Sequence, residues 1–211
     1  MELIGLSNIG RRFNKEWIFR GINYNIDKAH KLAILGGNGS GKSTLLQIIS
    51  GQLSPSEGNL EYKNHQSKIP VDEVYRYIAI AAPYMELIEE FTLKEFLSFH
   101  AKFKPFINNY SAQELIEIMQ LQHSAAKEIR NFSSGMKQRV KLATAILSDV
   151  PVVLLDEPAS NLDKKSVEWY RGLIEKYTSE RIVVVCSNHQ PSEYDFCNSQ
   201  LLVEEYKNPR P

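Results

Sequence analysis

The chain has 211 residues, 25 Lys and Arg balanced by 25 Asp and Glu, and two cysteines. Such a length buries a real core without disulfides or metals, as one domain or as one domain with a substantial insertion. The even charge excludes the basic excess of a nucleic-acid footprint, and no apolar run nears the roughly 20 residues that span a bilayer, so any membrane role runs through a partner.

The start, Met1-Glu2-Leu3-Ile4-Gly5, lacks a basic n-region and a long apolar core, so no signal peptide is expected. Glu2–Ser7 and Ile22–Ile26 alternate as strands do, and Leu32–Leu35 is an apolar run fit for a buried strand. Gly36-Gly37-Asn38-Gly39-Ser40-Gly41-Lys42-Ser43-Thr44 follows and fits G-x-x-x-x-G-K-[ST], with an apolar helical run from Leu45 to Ser50 behind it. Strand, glycine loop and helix in that order are the context of a phosphate-binding loop. Glycines let the backbone approach a phosphate, and the N–H groups of the loop and helix start face the anion. Lys42 should reach the β- and γ-phosphates, and the Ser43 hydroxyl should bind Mg²⁺.

Ser54–Asn59 reads as a turn, and Leu60–Lys63 and Tyr77–Ala82 as strands. The stretch from Met85 to about Asn131 changes character. Capping boxes at Thr92-Leu93-Lys94-Glu95 and Ser111-Ala112-Gln113-Glu114 each open a helix, with Pro105 between them, and no strand signal intervenes. Phe91, Leu93, Phe96, Leu97 and Phe99 are expected mostly as core of this helical insertion. Alternation then returns: Ser134–Ser148 helical, Val152–Leu155 a buried strand, Asp163–Tyr177 helical, Ile182–Cys186 a buried strand and Leu201–Glu205 a short last one. Apolar strands alternating with helices imply a parallel sheet covered on both faces. Cys186 falls in such a strand as a buried free thiol, which suits a reducing cytosol. Asp156 and Glu157 leave the strand Val152–Leu155 at its C-terminal end, where ligands bind in such sheets. That position suits Asp156 to Mg²⁺ and Glu157 to orienting the water that attacks a γ-phosphate. His30, His65, His100 and His123 sit in polar or helical segments and are expected at the surface.

With these residues in place, the chain resembles the ATP-binding subunit of an ABC (ATP-binding cassette) transporter. Phe132-Ser133-Ser134-Gly135-Met136 aligns with the signature motif LSGGQ, Ser160-Asn161-Leu162-Asp163 with the D-loop, and Asn188-His189 with the switch histidine, in matching order from about Leu3 to Leu202. The resemblance implies an α/β fold: a P-loop NTPase core at 1–84 and 132–211, with an N-terminal antiparallel β subdomain and a helical subdomain at about 85–131. It implies an ATPase that uses ATP and Mg²⁺ and powers a separate transmembrane permease subunit from the cytoplasmic face of the membrane. Two such domains, a homodimer or a pair with a second ATPase subunit, sandwich two ATP molecules head to tail. Ser133, Ser134 and Gly135 of one copy then meet the γ-phosphate held by the other. FSSGM is also a helix start with Ser133 as a good N-cap. Glu157, Lys42 and His189 are the catalytic residues implied, and Phe13 is the aromatic implied to stack on adenine, with Trp17 as its rival. One departure stands out: Tyr84 follows Pro83 where the family has glutamine, and a phenol is a poorer Mg²⁺ ligand than an amide carbonyl, so water or Glu86 could substitute. A soluble cassette acting on ribosome or nucleic acid and a non-hydrolysing nucleotide switch are the alternatives. Balanced charge opposes the first, and retained Glu157 and His189 oppose the second.

Overall fold

A computed structural model describes residues 1–65 and 67–207. Its elements in chain order are β1 (Leu3–Phe13), β2 (Glu16–Asp27), β3 (Lys31–Leu35), α1 (Lys42–Ile49), β4 (Glu57–Asn64), β5 (Ser67–Lys68), β6 (Ile78–Ala81), α2 (Leu93–His100), α3 (Ala112–Met119), α4 (Ser134–Leu147), β7 (Val152–Asp156), α5 (Lys164–Tyr177), β8 (Ile182–Ser187), α6 (Pro191–Tyr194) and β9 (Ser199–Leu202). They form an antiparallel sheet β2-β1-β4-β5 and a wholly parallel sheet β6-β7-β8-β3-β9.

The parallel sheet divides its side chains strictly by parity, as pleating requires. Val152 and Leu154 of β7 and Ile182, Val184 and Cys186 of β8 face a core shared with α1 and the antiparallel sheet. Val153, Leu155, Val183 and Val185 face a second core with α4, α5 and the helical segment. Both faces are therefore covered, and each fully buried Ile, Leu or Val contributes about 1.5–3 kcal/mol. Cys186 is a buried free thiol.

Helices α2 and α3 begin where their capping boxes predict. Thr92 and Ser111 accept from the N–H groups of Glu95 and Glu114, and those two glutamates accept in return from the cap backbones at 2.8 Å. Leu93, Phe96 and Leu97 are buried, as are Leu115, Ile116 and Met119, in the same core as Val153 and Val185 of the sheet. Phe99 differs from expectation. It is exposed and stands edge-on to Phe91, before α2, and Phe103, after it, at centroid distances of 5.6 and 5.0 Å.

Several boundaries depart from the sequence reading. β1 and β2 run well past Ser7 and begin well before Ile22, because register shifts between Leu6 and Arg12 break the period-2 pattern there. The turn is only Ser54–Ser56: Glu57 already pairs with Gly10, held by a bidentate bond from Arg20 at 2.8 and 2.9 Å. The last strand is Ser199–Leu202, and Val203–Tyr206 turns off as a 3-10 helix with Val203 buried beneath it. A further 3-10 turn, Val71–Arg76, carried no sequence signal.

Two histidines are not surface residues. The His30 ring is half-buried, with Nε2 2.5 Å from the Ser199 hydroxyl. His100 stacks on Phe106 and lies 3.1 Å from Ser148, whose hydroxyl donates to the Thr144 carbonyl at 2.7 Å, so the neutral ring donates through Nε2. Burial, helped by the Lys104 charge, pushes His100 down to about 4. The unfolded ring titrates near 6.5, so the unfolded state binds the extra proton first and folding stability falls as pH drops from about 6.5 toward 4. Thermal unfolding across this window should show a loss of on the order of 2 kcal/mol, discounted for partial exposure, that His100→Phe removes; an unchanged pH slope in that variant would contradict the burial of a neutral ring.

Candidate functional site

The three central strands end in register: Leu35 of β3 lies opposite Ser187 of β8, and Cys186 opposite Asp156 of β7. One edge of the sheet thus delivers the glycine loop, the two carboxylates and the segment holding His189 to one place.

Gly41 closes the loop with φ 107, and an added Cβ would lie 2.5 Å from Ile18 Cγ2 and 3.0 Å from Phe19 Cδ1, so only glycine fits beneath β2. Helix α1 starts at Lys42 without any side-chain cap, leaving its first N–H groups open to an anion. Lys42 is 4% exposed and its ammonium donates to the carbonyls of Gly36 at 2.9 Å and Gly37 at 3.0 Å. The Ser40 hydroxyl is buried without a partner among the described residues. Asn38, Gly39, Gly41, Lys42, Ser43 and Thr44 line a cleft of about 330 Å³ with Ile18 and Glu157.

Asp156 is 2% exposed and its Oδ1 has no hydrogen-bond partner among the described residues, a polar atom that a ligand would satisfy. Burial raises its pKa; the Ser43 hydroxyl and the Lys42 charge oppose the rise, and Glu157 adds to it. Ser43 and Asp156 thus pair a hydroxyl with an unsatisfied carboxylate oxygen beside the phosphate loop, a hard oxygen donor set that fits Mg²⁺. Glu157 adopts φ 47, donates its N–H to the Cys186 carbonyl at 2.9 Å, and also lines a second cleft of about 180 Å³ with Asn38, Ser160, Asn188, Gln190 and Glu193. His189 follows β8 at φ 54, exposed, and lines neither cleft.

Ser133, Ser134 and Gly135 lie elsewhere. They line a separate cleft of about 540 Å³ with Met136, Asn161 and Asp163, and it shares no lining residue with the phosphate-loop cleft. Ser133 caps α4 by accepting from the Met136 N–H at 3.2 Å. Phe13 sits 47% exposed at the tip of the β1–β2 hairpin, outside the described lining of the phosphate cleft, with the Arg11 guanidinium 4.6 Å from its ring centroid. Trp17 is engaged by Arg12 and Arg20 instead. Tyr84 stands beside the acid: burial first, then the Asp156 charge, push its hydroxyl up to about 12, with the Gln47 side chain opposing. Lys141 of α4 donates to the Pro83 carbonyl at 3.2 Å and so ties the Tyr84 loop to that helix.

Three residues of the site carried no sequence signal. Ile18 comes from a half-buried stretch of β2. Glu204 accepts from the Gly37 N–H at 2.8 Å, from a segment whose apolar start read as strand. Glu193 is a buried carboxylate in a four-residue helix.

A parallel sheet that ends in an uncapped helix, a buried loop lysine and an unpartnered aspartate defines a phosphate-loop nucleotide-binding ATPase. The ABC transporter family model matches residues 19–160, and the chain belongs to that family. It is 26% identical over 200 residues to the ABC transporter ATP-binding protein YybJ of Bacillus subtilis (strain 168), covering 94% of this chain and 91% of that one. It is 27% identical to the lantibiotic transport ATP-binding protein SrtF of Streptococcus pyogenes, covering 92% and 82%. Among solved structures, the dimeric post-hydrolysis state of the ATP-binding cassette MJ0796 with ADP and Pi matches with a TM-score of 0.80 and 26% identity, over 94% of this chain and 93% of that one. The chain is an ATP-binding cassette ATPase.

Gly41→Ala should lower stability by about 1–3 kcal/mol through the clash with Ile18 and Phe19 and the left-handed φ, measured by thermal unfolding. An unshifted melting temperature would show that β2 does not clamp the loop.

Proposed function

We propose that this chain is the ATP-hydrolysing subunit of a transport system, which powers a separate membrane permease through ATP-dependent head-to-tail pairing with a second ATPase chain. The separation of the two clefts carries this reading. A phosphate loop without Ser133–Gly135, and a helix start with no phosphate loop beside it, are complementary halves that a twofold pair of chains would bring together.

In that arrangement the Lys42 ammonium exchanges the Gly36 and Gly37 carbonyls for the β- and γ-phosphates. Ser43 and the Asp156 oxygen would hold Mg²⁺, which would neutralise charge on the phosphate oxygens. Glu157 reaches the γ-phosphate side of the loop from the lining of both clefts and orients the attacking water. His189 contacts the γ-phosphate once the second chain closes over it, and the partner's Ser133, Ser134 and Gly135 cover the same phosphate. Phe13 offers an exposed face for adenine stacking. The groove lined by Pro83, Met85, Glu86, Leu87, Lys137 and Lys141, between the Tyr84 loop and α4, is where short permease helices would sit. Among the described residues no helix is long and apolar enough to cross a membrane. In the proposed system the permease supplies attachment at the cytoplasmic face.

Glu157→Gln should lower ATP turnover by about 10²–10⁴-fold while retaining nucleotide, and should accumulate an ATP-dependent dimer visible by light scattering. Turnover at the wild-type rate would remove Glu157 from its role. Lys42→Ala should abolish ATP binding in equilibrium dialysis, and undiminished affinity would refute the phosphate-loop assignment.

A further inference from the structure

Glu193 is 2% exposed, pairs with no cation among the described residues and is not used in the mechanism above. Its two carboxylate oxygens are divided between two loops of the site. Oε1 accepts from the Ala159 N–H at 3.0 Å, and Oε2 accepts from the Ser187 hydroxyl. Ala159 lies two residues after Glu157 and two before Asn161; Ser187 lies two residues before His189. These three neighbours, Glu157, Asn161 and His189, have left-handed φ of 47, 62 and 54. Non-glycine residues hold that conformation only where the surroundings over-determine it.

The rest of the local bonding makes Glu193 the shared anchor. The fully buried Tyr170 hydroxyl donates to the Glu193 carbonyl at 2.9 Å and fixes α6 against α5. Gln190 donates its N–H to the same Ser187 hydroxyl at 3.2 Å. On the far side of the loop, the buried Gln138 amide of α4 donates to the Pro158 carbonyl at 3.0 Å. The turn after Glu157 is therefore gripped from one side by the helix that starts at Ser134 and from the other by Glu193. Beside the Glu157 N–H bond to Cys186, Glu193 is the one side chain among the described residues that bonds both the turn, at Ala159, and the end of β8, at Ser187.

We infer that Glu193 is a positioning residue for ATP hydrolysis, whose carboxylate locks the backbones carrying Glu157 and His189 into one geometry. It touches no phosphate and acts through those two residues. Its removal frees the Ala159 N–H and the Ser187 hydroxyl, lets the left-handed turns relax, and displaces the water-orienting carboxylate. The phosphate loop, anchored separately by Lys42 and Glu204, stays in place.

The inference rests on the reading of Glu157 above, and the test separates the two. In the full chain with ATP and Mg²⁺, steady-state kcat and KM, affinity for trinitrophenyl-ATP and melting temperature are measured for Glu193→Ala, Glu193→Asp, Glu193→Gln and Glu157→Gln. Glu193→Ala should lower kcat by about 10- to 100-fold with affinity held within about twofold, because a displacement of about 1 Å at the reacting group costs that much. Glu193→Asp is too short for both donors and should show the same split, which serves if the alanine variant does not fold. Glu193→Gln, whose amide can accept from Ala159 and donate to Ser187, should recover kcat to within about threefold of the native chain. A native kcat in the alanine or aspartate variant, a parallel fall of kcat and affinity, or a glutamine variant as slow as alanine overturns the inference. An active Glu157→Gln variant would instead overturn the reading on which it rests.

Discussion

The in-register parallel pairing of β7, β8 and β3 is the constraint from which the site follows. A slip of one residue would exchange the two faces of each strand and carry Asp156 out of line with the glycine loop. Such a slip would turn Val153, Leu155, Val183 and Val185 away from the core they fill, toward that of α1 and the antiparallel sheet. Hydrophobic burial on both faces therefore positions the polar ends. Stability and site geometry share one set of residues: the apolar bodies of the strands hold the sheet, and their C-terminal ends carry Leu35 into the loop, Asp156 beside it and Ser187 to the segment holding His189.

How much of this could be read from the residues depends on how local each requirement is. Gly41 was legible because its backbone forbids a Cβ, and Val152–Asp156 because an apolar run buried on both sides ends in two acids. Helices α2 and α3 were legible from reciprocal caps four residues long. The outer half of the β1–β2 hairpin was not, since register shifts between Leu6 and Arg12 scramble its alternation. The last segment misled because Leu201, Leu202 and Val203 are apolar like a strand, whereas Val203 is buried in a turn that sends Glu204 to the Gly37 N–H. Glu193 and His100 have roles set wholly by what the fold brings beside them, and no spacing along the chain announces that. The apartness of the Ser133–Gly135 cleft from the phosphate loop is likewise a property of three dimensions.

The electrostatics of the single chain fit an anion with its cation. The Lys42 ammonium is held by carbonyls, the Ser40 hydroxyl and an Asp156 oxygen have no partner among the described residues, and burial raises the Asp156 pKa. An anion with its cation would satisfy all of these at once. If a second chain contributes the remaining donors, nucleotide binding favours the paired state by the free energy of those added contacts, which is how a population shift is driven. Release of the γ-phosphate removes them. Tyr84 places a phenol next to this balance, close to Asp156, and Lys141 ties its loop to the helix that starts at Ser134.

Complementation between two inactive chains tests the composite site most directly. Lys42→Ala disables one half, and Ser134→Glu, at an exposed first-turn position, disables the other by like-charge repulsion of phosphate while keeping the helix. Mixed in equal amounts, the two variants should regain up to about a quarter of native ATP turnover, because half of the random pairs hold one site with both halves intact. A mixture no more active than either variant alone would contradict a site built from two chains.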